Sequence, residues 1–313
     1  MGRFLFSRLL SAIPTALVVT VVVFVLMRAI PGDPSALMLG DLASPEQLAA
    51  MRAKMGLDRP LVVQYFVWLS GVVQGDLGHS IVNHEPVLRL ILVRFVASAT
   101  IVLAAVTLAA AIAVPAGMIA AWKQNRLADT AIVIGATLTL SIPSFWLGLI
   151  LLLIFGLWLN WLPIVGFVSV VDNFWAGVAY LIMPVATLVL IESGSVARMA
   201  RASTIEIARL DYITHARAKG LSERQVMWRH AFRNAFAPTW TLIGLILGSL
   251  LANIAVIETV FTIPGLGRLL IDSIYARDYP VVQGCLLFIA LIYVAVNLAV
   301  DAVYPLLDPR VKA

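Results

Sequence analysis

Residues 209–238 read RLDYITHARAKGLSERQVMWRHAFRNAFAP and form a polar, basic interruption in a chain that is otherwise strongly apolar. Ile213, Ala216 and Gly220 recur at the spacing of one face of a short helix. Gly220 can adopt the left-handed conformation that ends a helix. Ser222 then begins a Ser-x-x-Gln capping box with Gln225, which predicts the start of a second helix. The stretch therefore predicts a helix, a glycine break and a second helix on the polar side of a membrane.

The overall composition is that of an integral membrane protein. Hydrophobic residues make up 61% of the 313 residues and charged residues 12%, and the mean hydropathy is +0.98. A soluble domain of this length does not need so much apolar surface. The net charge of +5 does not indicate nucleic acid binding, because the basic residues lie beside the apolar segments. The single cysteine, Cys285, excludes an internal disulfide and a cysteine-based zinc site.

Six apolar segments are long enough to cross a bilayer, which takes about 20 residues. They predict an all-α polytopic membrane protein with spans at 9–30, 95–122, 130–171, 173–191, 234–257 and 281–300. The third segment is too long for one straight helix, so a kink is expected at Ser141-Ile142-Pro143-Ser144. Pro238 marks the entry to the fifth apolar segment. The first segment is interpreted as a retained anchor, since it is too long for the apolar part of a signal peptide.

Residues 31–94 differ from the rest because prolines and charges of both signs are scattered through them. A short amphipathic helix is predicted from Ser44 to about Met55, and a second one over 62–73, whose aromatic residues are typical of a membrane interface. We expect an N-terminal segment with the first span (1–30), a small external segment (31–94) and a core (95–313) that includes a cytoplasmic region at 200–236.

The distribution of basic residues predicts the orientation in the membrane. Residues 193–236 contain eight Lys or Arg against three acids, whereas residues 31–94 contain five against six. Cytoplasmic loops carry the excess of Lys and Arg. The sequence therefore predicts a multi-pass protein of the cytoplasmic membrane with both termini and the basic stretch in the cytoplasm, and with residues 31–94 and 258–280 outside.

Motifs for catalysis are missing from the sequence. It contains no Gly-x-x-x-x-Gly-Lys-Ser/Thr phosphate loop, no His-Glu-x-x-His and no Gly-x-Ser-x-Gly. The four histidines lie outside the apolar segments and are not grouped as metal ligands. The sequence therefore predicts neither an enzyme nor a resident metal or cofactor.

Polar residues within or beside apolar segments are candidates for a transport pathway, because they are expensive in lipid. Asn253 and Glu258 lie about one helical turn apart, and Ser144 lies at the predicted kink. In one interpretation these residues line a polar passage. In the alternative, Asn253 forms a hydrogen bond between helices and Glu258 reaches water. Gly244 and Gly248 are interpreted as a site of close helix packing.

The basic stretch resembles the cytoplasmic loop of ABC-importer permeases, in which a short coupling helix that ends at a fixed glycine docks on the ATPase subunit. Thr214-His215-Ala216 stands where that family has Glu-Ala-Ala, and Gly220 is its glycine. Of the triplet only Ala216 matches, and Arg233 stands where many members have proline. The coupling residues implied by the resemblance are Asp211, Tyr212, Ile213, Thr214, His215, Ala216, Arg217, Ala218, Lys219, Gly220 and Leu221.

The resemblance covers nearly the whole chain and is strongest to the first of the two permeases in dipeptide and oligopeptide importers. The segments that carry it are Pro31-Gly32-Asp33-Pro34, Gly56-Leu57-Asp58-Arg59-Pro60-Leu61, Gly75-Asp76-Leu77-Gly78-His79-Ser80, Pro264-Gly265-Leu266-Gly267-Arg268-Leu269-Leu270 and Arg277-Asp278-Tyr279-Pro280. Glutathione and nickel systems belong to the same branch, so the motifs do not name the solute.

The resemblance implies the six-helix transmembrane domain of a type I ABC importer and its partners. These are a second homologous permease, two cytoplasmic ATPases, which bind ATP and magnesium, and an external solute-binding protein. The expected docking residues for the binding protein are Pro264, Gly265, Leu266, Gly267, Arg268, Asp278 and Tyr279. The alternative is a secondary transporter that acts alone, but the sequence contains no inverted repeat and no buried acidic relay.

Overall fold

The computed structural model describes residues 2–29, 35, 39, 43–54 and 56–307, and within these residues it is helical, with no β-strand. The helices, numbered here in chain order, are α1 (Gly2–Ala29), α2 (Pro45–Lys54), α3 (Leu61–Val73), α4 (Val87–Trp122), α5 (Leu127–Ser141), α6 (Ser144–Trp158), α7 (Phe174–Ala208), α8 (Asp211–Ala218), α9 (Glu223–Asn253), α10 (Ala255–Val260), α11 (Leu266–Tyr275) and α12 (Tyr279–Leu307). The motif at residues 31–34 lies outside the described residues.

Five helices of the described chain are long and apolar enough to cross a membrane, namely α4, α7, α9 and most of α1 and α12. The pair α5 and α6 supplies a sixth span if its two bent halves are counted together. This confirms the predicted all-α polytopic fold.

The expected kink in the third span is a break of 98° between α5 and α6. Pro143 follows Ile142, whose φ of −96° and ψ of 126° are extended. A residue before proline is driven out of the helical conformation by the proline ring. The break therefore has a local cause in the sequence.

Several helices are longer than the apolar segments that predicted them. α4 begins at Val87 rather than at residue 95, and α7 continues to Ala208 rather than ending near residue 191. The predicted second cytoplasmic helix and the fifth span are one continuous helix, α9, with Pro238 inside it. An apolar segment ends at the first charged residue, but a helix can continue past that residue beyond the bilayer into water. The apolar segments therefore underestimate the lengths of these helices.

One helix ends earlier than predicted. The fifth span was expected to reach residue 257, but α9 ends at Asn253 and the short helix α10 follows it.

The bundle is centred on α4 and α7, which form its most extensive helix pair. Gly117 of α4 lies against the backbone of α7 at Ala197, where a Cβ would collide with the carbonyl oxygen. α9 packs on α4, α7 and α12. Its Gly244 faces Val300 and its Gly248 faces Tyr293 of α12, which confirms the prediction that these two glycines serve close packing. α1 lies at the side of the bundle, against α12 and α3.

The described residues of the segment between α1 and α4 contact both α1 and the start of α12. The Tyr65 hydroxyl of α3 lies 2.8 Å from the Thr20 hydroxyl of α1, and the Phe24 ring packs edge-on against Tyr65. Further along, Ser80 is buried and its hydroxyl donates to the carboxylate of Asp278. This segment is therefore held against α1 and against the start of α12.

Candidate coupling site

The predicted helix–glycine–helix element is present at residues 211–225. α8 ends at Ala218, and Gly220 follows with a φ of +82°, in the left-handed region. The Ser222 hydroxyl accepts a hydrogen bond from the Gln225 amide, while the Gln225 side chain accepts one from the Ser222 amide. Both halves of the predicted capping box are thus confirmed, and the box begins α9.

The apolar face of α8 is covered by the chain itself. The side chains of Ile213 and Ala216 are 0% and 6% exposed. They belong to a small hydrophobic cluster with Val226, Ala231, Trp122, Ile207 and Leu221. The apolar face of α8 is therefore not available to another protein in this conformation, because the chain itself provides the groove that covers it.

The surface that α8 offers to another protein is consequently its polar face. Asp211, Tyr212, Thr214 and His215 are exposed there, as are Arg217, Ala218, Lys219 and Gly220. Leu221 is half-buried.

α8 is fastened to two spanning helices. The Asn234 amide of α9 donates to the Tyr212 hydroxyl over 2.7 Å. Arg217 donates two hydrogen bonds, of 2.9 and 3.3 Å, to the carboxylate of Glu223 in the first turn of α9. The indole N–H of Trp122, the last residue of α4, donates to the same carboxylate over 2.8 Å. The Arg217 guanidinium also lies 5.4 Å from the centre of the Trp122 ring. α8 is thus in direct contact with the ends of α4 and α9.

A second ion pair fixes the same end of the bundle. The guanidinium of Arg201 in α7 makes two hydrogen bonds, of 2.5 and 2.8 Å, to the carboxylate of Asp129 in α5. The Asn125 amide donates to that carboxylate over 3.0 Å. Asp129 is buried, so the pair holds the turn before α5 rigidly against α7.

The sequence of the whole chain matches known protein families. Residues 113–313 match the family of the binding-protein-dependent transport system inner membrane component. Residues 1–104 match the family of the N-terminal part of such membrane components. The chain belongs to this family of transport permeases. It is therefore a transport subunit of the inner membrane that works with other subunits of an ABC transporter, and its bundle is a type I importer domain.

Relatives of the permease match it along its full length. A protein of Brucella abortus (strain 2308), named for a peptide transport system permease, is 40% identical over 312 residues, which are 100% of this chain and 99% of the relative. One of Sinorhizobium fredii (strain NBRC 101917 / NGR234), named for a peptide ABC transporter permease, is 35% identical and covered completely in both chains. The glutathione transport system permease protein of Escherichia coli (strain K12) is 38% identical over 100% of this chain and 99% of its own.

Glu258 of the permease is placed differently from both sequence-based interpretations. Its side chain is 0% exposed, so in this conformation it neither reaches water nor lines an open passage. Its carboxylate accepts a 2.5 Å hydrogen bond from the hydroxyl of Ser98 in α4 and a 2.8 Å one from the amide of Arg268. The Ser98 oxygen in turn accepts from the amide of Leu266. The carboxylate therefore ties the loop before α11 to α4.

The burial of Glu258 shifts the pKa of its carboxyl and leaves no room for a side chain at Gly265. Glu258 lies in α10, outside the spanning helices. Burial raises the pKa of its carboxyl above the ordinary value, and the hydrogen bonds from Ser98 and from the loop amides oppose that rise. A Cβ at Gly265 would collide with this carboxylate, which explains the glycine at that position of the loop.

The other two candidate pathway residues lie apart from Glu258. The Asn253 amide is exposed and donates to the Ser249 carbonyl of its own helix over 3.0 Å, rather than to another helix. Ser144 is half-buried in the first turn of α6. The three residues do not form one polar site in this conformation, and their role in a pathway stays a prediction.

Most of the residues expected to dock the binding protein are buried within the permease. Gly265, Leu266 and Gly267 are inaccessible, and Asp278 is 3% exposed. The Asp278 carboxylate accepts hydrogen bonds from the Ser80 hydroxyl and, over 3.1 Å, from the Ile81 amide. These four residues, at the start of α11 and in the turn before α12, are not available as contact surface in this conformation.

The accessible surface at this end of the bundle comes from other residues. Tyr275 and Ile274 are 85% and 53% exposed, and Arg277 is exposed beside them. Pro264, Arg268 and Tyr279 are half-buried, so a docking role for these three stays a prediction.

Sequence reasoning missed the partners that these buried groups use. Ser98 and Arg201 are ordinary residues in the sequence, and nothing local distinguishes them. Ser80 lies in a motif of the family, but the motif does not indicate its partner Asp278. Asp129 offered a weak signal, because it is an acid directly before a long segment without charge, and such a residue usually has a partner.

Proposed function

We propose that this chain is one of two permease subunits of an ATP-driven importer that moves di- and oligopeptides across the cytoplasmic membrane. The observation that carries the proposal is the match along the whole chain to relatives named for peptide transport. The position of α8, whose Ile213 side is buried against the chain and whose polar side is exposed, supports attachment to a separate ATPase.

The proposed partners are a second, homologous permease, two cytoplasmic ATPase subunits that bind ATP and magnesium, and an external solute-binding protein. α8 and both termini then lie in the cytoplasm, and the loops around α2, α3 and α11 lie outside. The excess of basic residues around α8 supports this orientation.

The proposed mechanism is alternating access driven through α8. When ATP closes the two ATPases, they displace the exposed face of α8. The bonds from Tyr212 to Asn234 and from Arg217 to Glu223 pass this displacement to α9, and Trp122 passes it to α4. Because α4 and α9 belong to the centre of the bundle, their movement changes the side on which the passage opens.

Reconstitution tests the proposal. The permease, its partner permease and the ATPases would be placed in proteoliposomes, with the binding protein and labelled di-, tri- and longer peptides on the outside and ATP within. We expect uptake with ATP and none with a hydrolysis-deficient ATPase. Uptake that persists without ATP would show a secondary transporter instead.

Glutathione is the second candidate solute, because the Escherichia coli relative is named for its transport. Competition in the same vesicles separates the two. Excess unlabelled glutathione abolishes labelled peptide uptake only if both use one route, and direct uptake of labelled glutathione identifies it as a substrate.

A further inference from the structure

A cleft of about 840 Å³ lies at the end of the bundle opposite α8. One wall is the first part of α4, the other is the segment 167–172 before α7, and Pro264 of the loop before α11 contributes as well. Small-molecule sites occupy roughly 300–1,000 Å³. The cleft is therefore large enough for a short peptide.

Two cations lie in this cleft on the same helix. Arg89 and Arg94 both line it, and five residues of helix separate their Cα atoms by about 7.5 Å along the axis. Arg94 is half-buried and Arg89 is exposed. Within the part of the chain that the structure describes, no ion pair joins either guanidinium to an acid.

Acids lie at other positions of the same cleft. Asp172, which is exposed, lines it from the segment before α7, and Glu85 lines it just before α4 begins. Between the charges the walls are apolar, with Val93 of α4 and Phe167 of the facing segment among them. Both signs of charge thus surround an apolar interior, as a zwitterion with an apolar body requires.

The chemistry of the arginines favours a carboxylate as their ligand. A guanidinium offers a planar fork of N–H donors that matches the two oxygens of a carboxylate. Arg94 lies beside apolar residues of the cleft, so a carboxylate bound there would supply its counter-ion.

The cleft wall is also held in position. The Ser98 hydroxyl, one helical turn beyond Arg94, donates to the buried Glu258, and its oxygen accepts from Leu266 two residues after Pro264. The helix that carries the arginines and the loop that carries Pro264 are thereby fixed to each other.

We propose that this cleft binds the free carboxylate end of a peptide-sized substrate through Arg94 and Arg89, with Asp172 facing the substrate's ammonium group. The proposal rests on the proposed function as a peptide permease and adds a substrate subsite within this subunit. In this proposal the permease itself binds the free C-terminal carboxylate of the peptide, independently of the binding protein.

The test is direct binding to the complete permease–ATPase complex in nanodiscs, without the binding protein. A tripeptide that carries a photoreactive phenylalanine analogue serves as the probe, and the unlabelled tripeptide competes with it in two forms, with a free and with an amidated C-terminus. In the wild-type complex we expect the free form to compete at least about tenfold better, because hydrogen bonds between charged groups are the strong ones. Equal competition by the two forms would overturn the proposal.

Substitutions assign the effect to the arginines. Arg94→Gln and Arg89→Gln should remove the difference between the two competitors, and Arg94→Lys should restore part of it. Arg59→Gln, which replaces an exposed arginine that does not line this cleft, should leave it intact. A full preference for the free form in the double variant Arg89→Gln/Arg94→Gln would refute the assignment.

ATP-driven uptake by the wild-type complex separates the two proposals. If uptake is absent, the proposed function fails. If uptake is present but the glutamine variants keep the wild-type preference for the free C-terminus, only the proposed subsite fails.

Discussion

The carboxylate of Glu258 and the hydroxyl of Ser98, which are 160 residues apart in sequence, share a 2.5 Å hydrogen bond at a position where neither side chain is exposed. The same carboxylate receives the amide of Arg268, and the same serine receives the amide of Leu266. Two side chains thus accept from amides in the first turn of α11, which have no partner within the helix. The loop keeps its shape because α4 and α10 hold it from both sides.

Replacing Glu258 by alanine should destabilise the permease. The Arg268 amide and the Ser98 hydroxyl would lose their acceptor in a buried site, which costs about 1–3 kcal/mol. Glu258→Gln keeps one acceptor oxygen and should cost less. The measurement is the thermal unfolding midpoint of the detergent-solubilised protein, with Asp58→Ala, an exposed acid, as the control. Equal midpoints for Glu258→Ala and the control would contradict this role.

A pair of glycine substitutions isolates the backbone conformation at Gly220. A Cβ at Gly220 or at Gly135 would meet nothing within 4 Å, but only Gly220 has a positive φ, of +82°. Gly220→Ala should therefore destabilise the end of α8 by roughly 1 kcal/mol. Gly135→Ala should be neutral or stabilising, because it lies within a helix. Hydrogen exchange of residues 211–220 measures the first effect. Unchanged exchange in Gly220→Ala would show that the left-handed turn is not needed.

The ion pair between Asp129 and Arg201 should show a favourable coupling energy. The double variant should then lose less stability than the sum of the two single variants. Arg201→Ala leaves the buried Asp129 carboxylate without its cation, which costs about 3 kcal/mol. Asp129→Ala leaves Arg201, whose side chain is 26% exposed, and should cost less. Arg198→Ala, at an exposed position of the same helix, should cost little. Thermal midpoints of Asp129→Ala, Arg201→Ala and the double variant form a double-mutant cycle. Strictly additive losses would mean that the two side chains act independently.

Neighbouring residues of α8 should affect different properties, because they lie on opposite faces. Thr214→Trp adds bulk to the exposed face and should reduce copurification of the ATPases while the thermal midpoint stays unchanged. Ile213→Asp places a charge in the buried cluster and should lower the midpoint itself. If Thr214→Trp bound the ATPases as well as wild type, the exposed face of α8 would not be the attachment surface.

Features with a cause a few residues away could be predicted from the sequence. Gly220, the Ser222–Gln225 box and the break before Pro143 belong to this group, since each follows from local backbone chemistry. The family could also be recognised from its motifs. These features define the end of α8, the start of α9 and the break between α5 and α6.

Features that depend on distant residues could not be predicted. The partner of Glu258 is 160 residues away and that of Asp129 is 72 residues away, and single-sequence patterns contain no information on such pairs. Helix lengths were underestimated for a related reason. The apolar segment 173–191 is followed by the charged Glu192, but α7 continues to Ala208 because helical hydrogen bonds also form outside lipid. The burial of Ile213 depends on Trp122, in a different helix.

The six residues Val226–Ala231 of α9 form a π-helical segment, with the wider hydrogen bonding of that form. α8 is bonded to Glu223 before this segment and to Asn234 after it. α8 therefore bridges the π-helical segment, because it is bonded to α9 on both sides of it. We expect the bonds to Glu223 and Asn234, on either side of the π-helical segment, to resist its rewinding. We therefore expect α8 and the adjoining end of α9 to move as one unit, which packs against Trp122 and Ile207 of the bundle through Ile213.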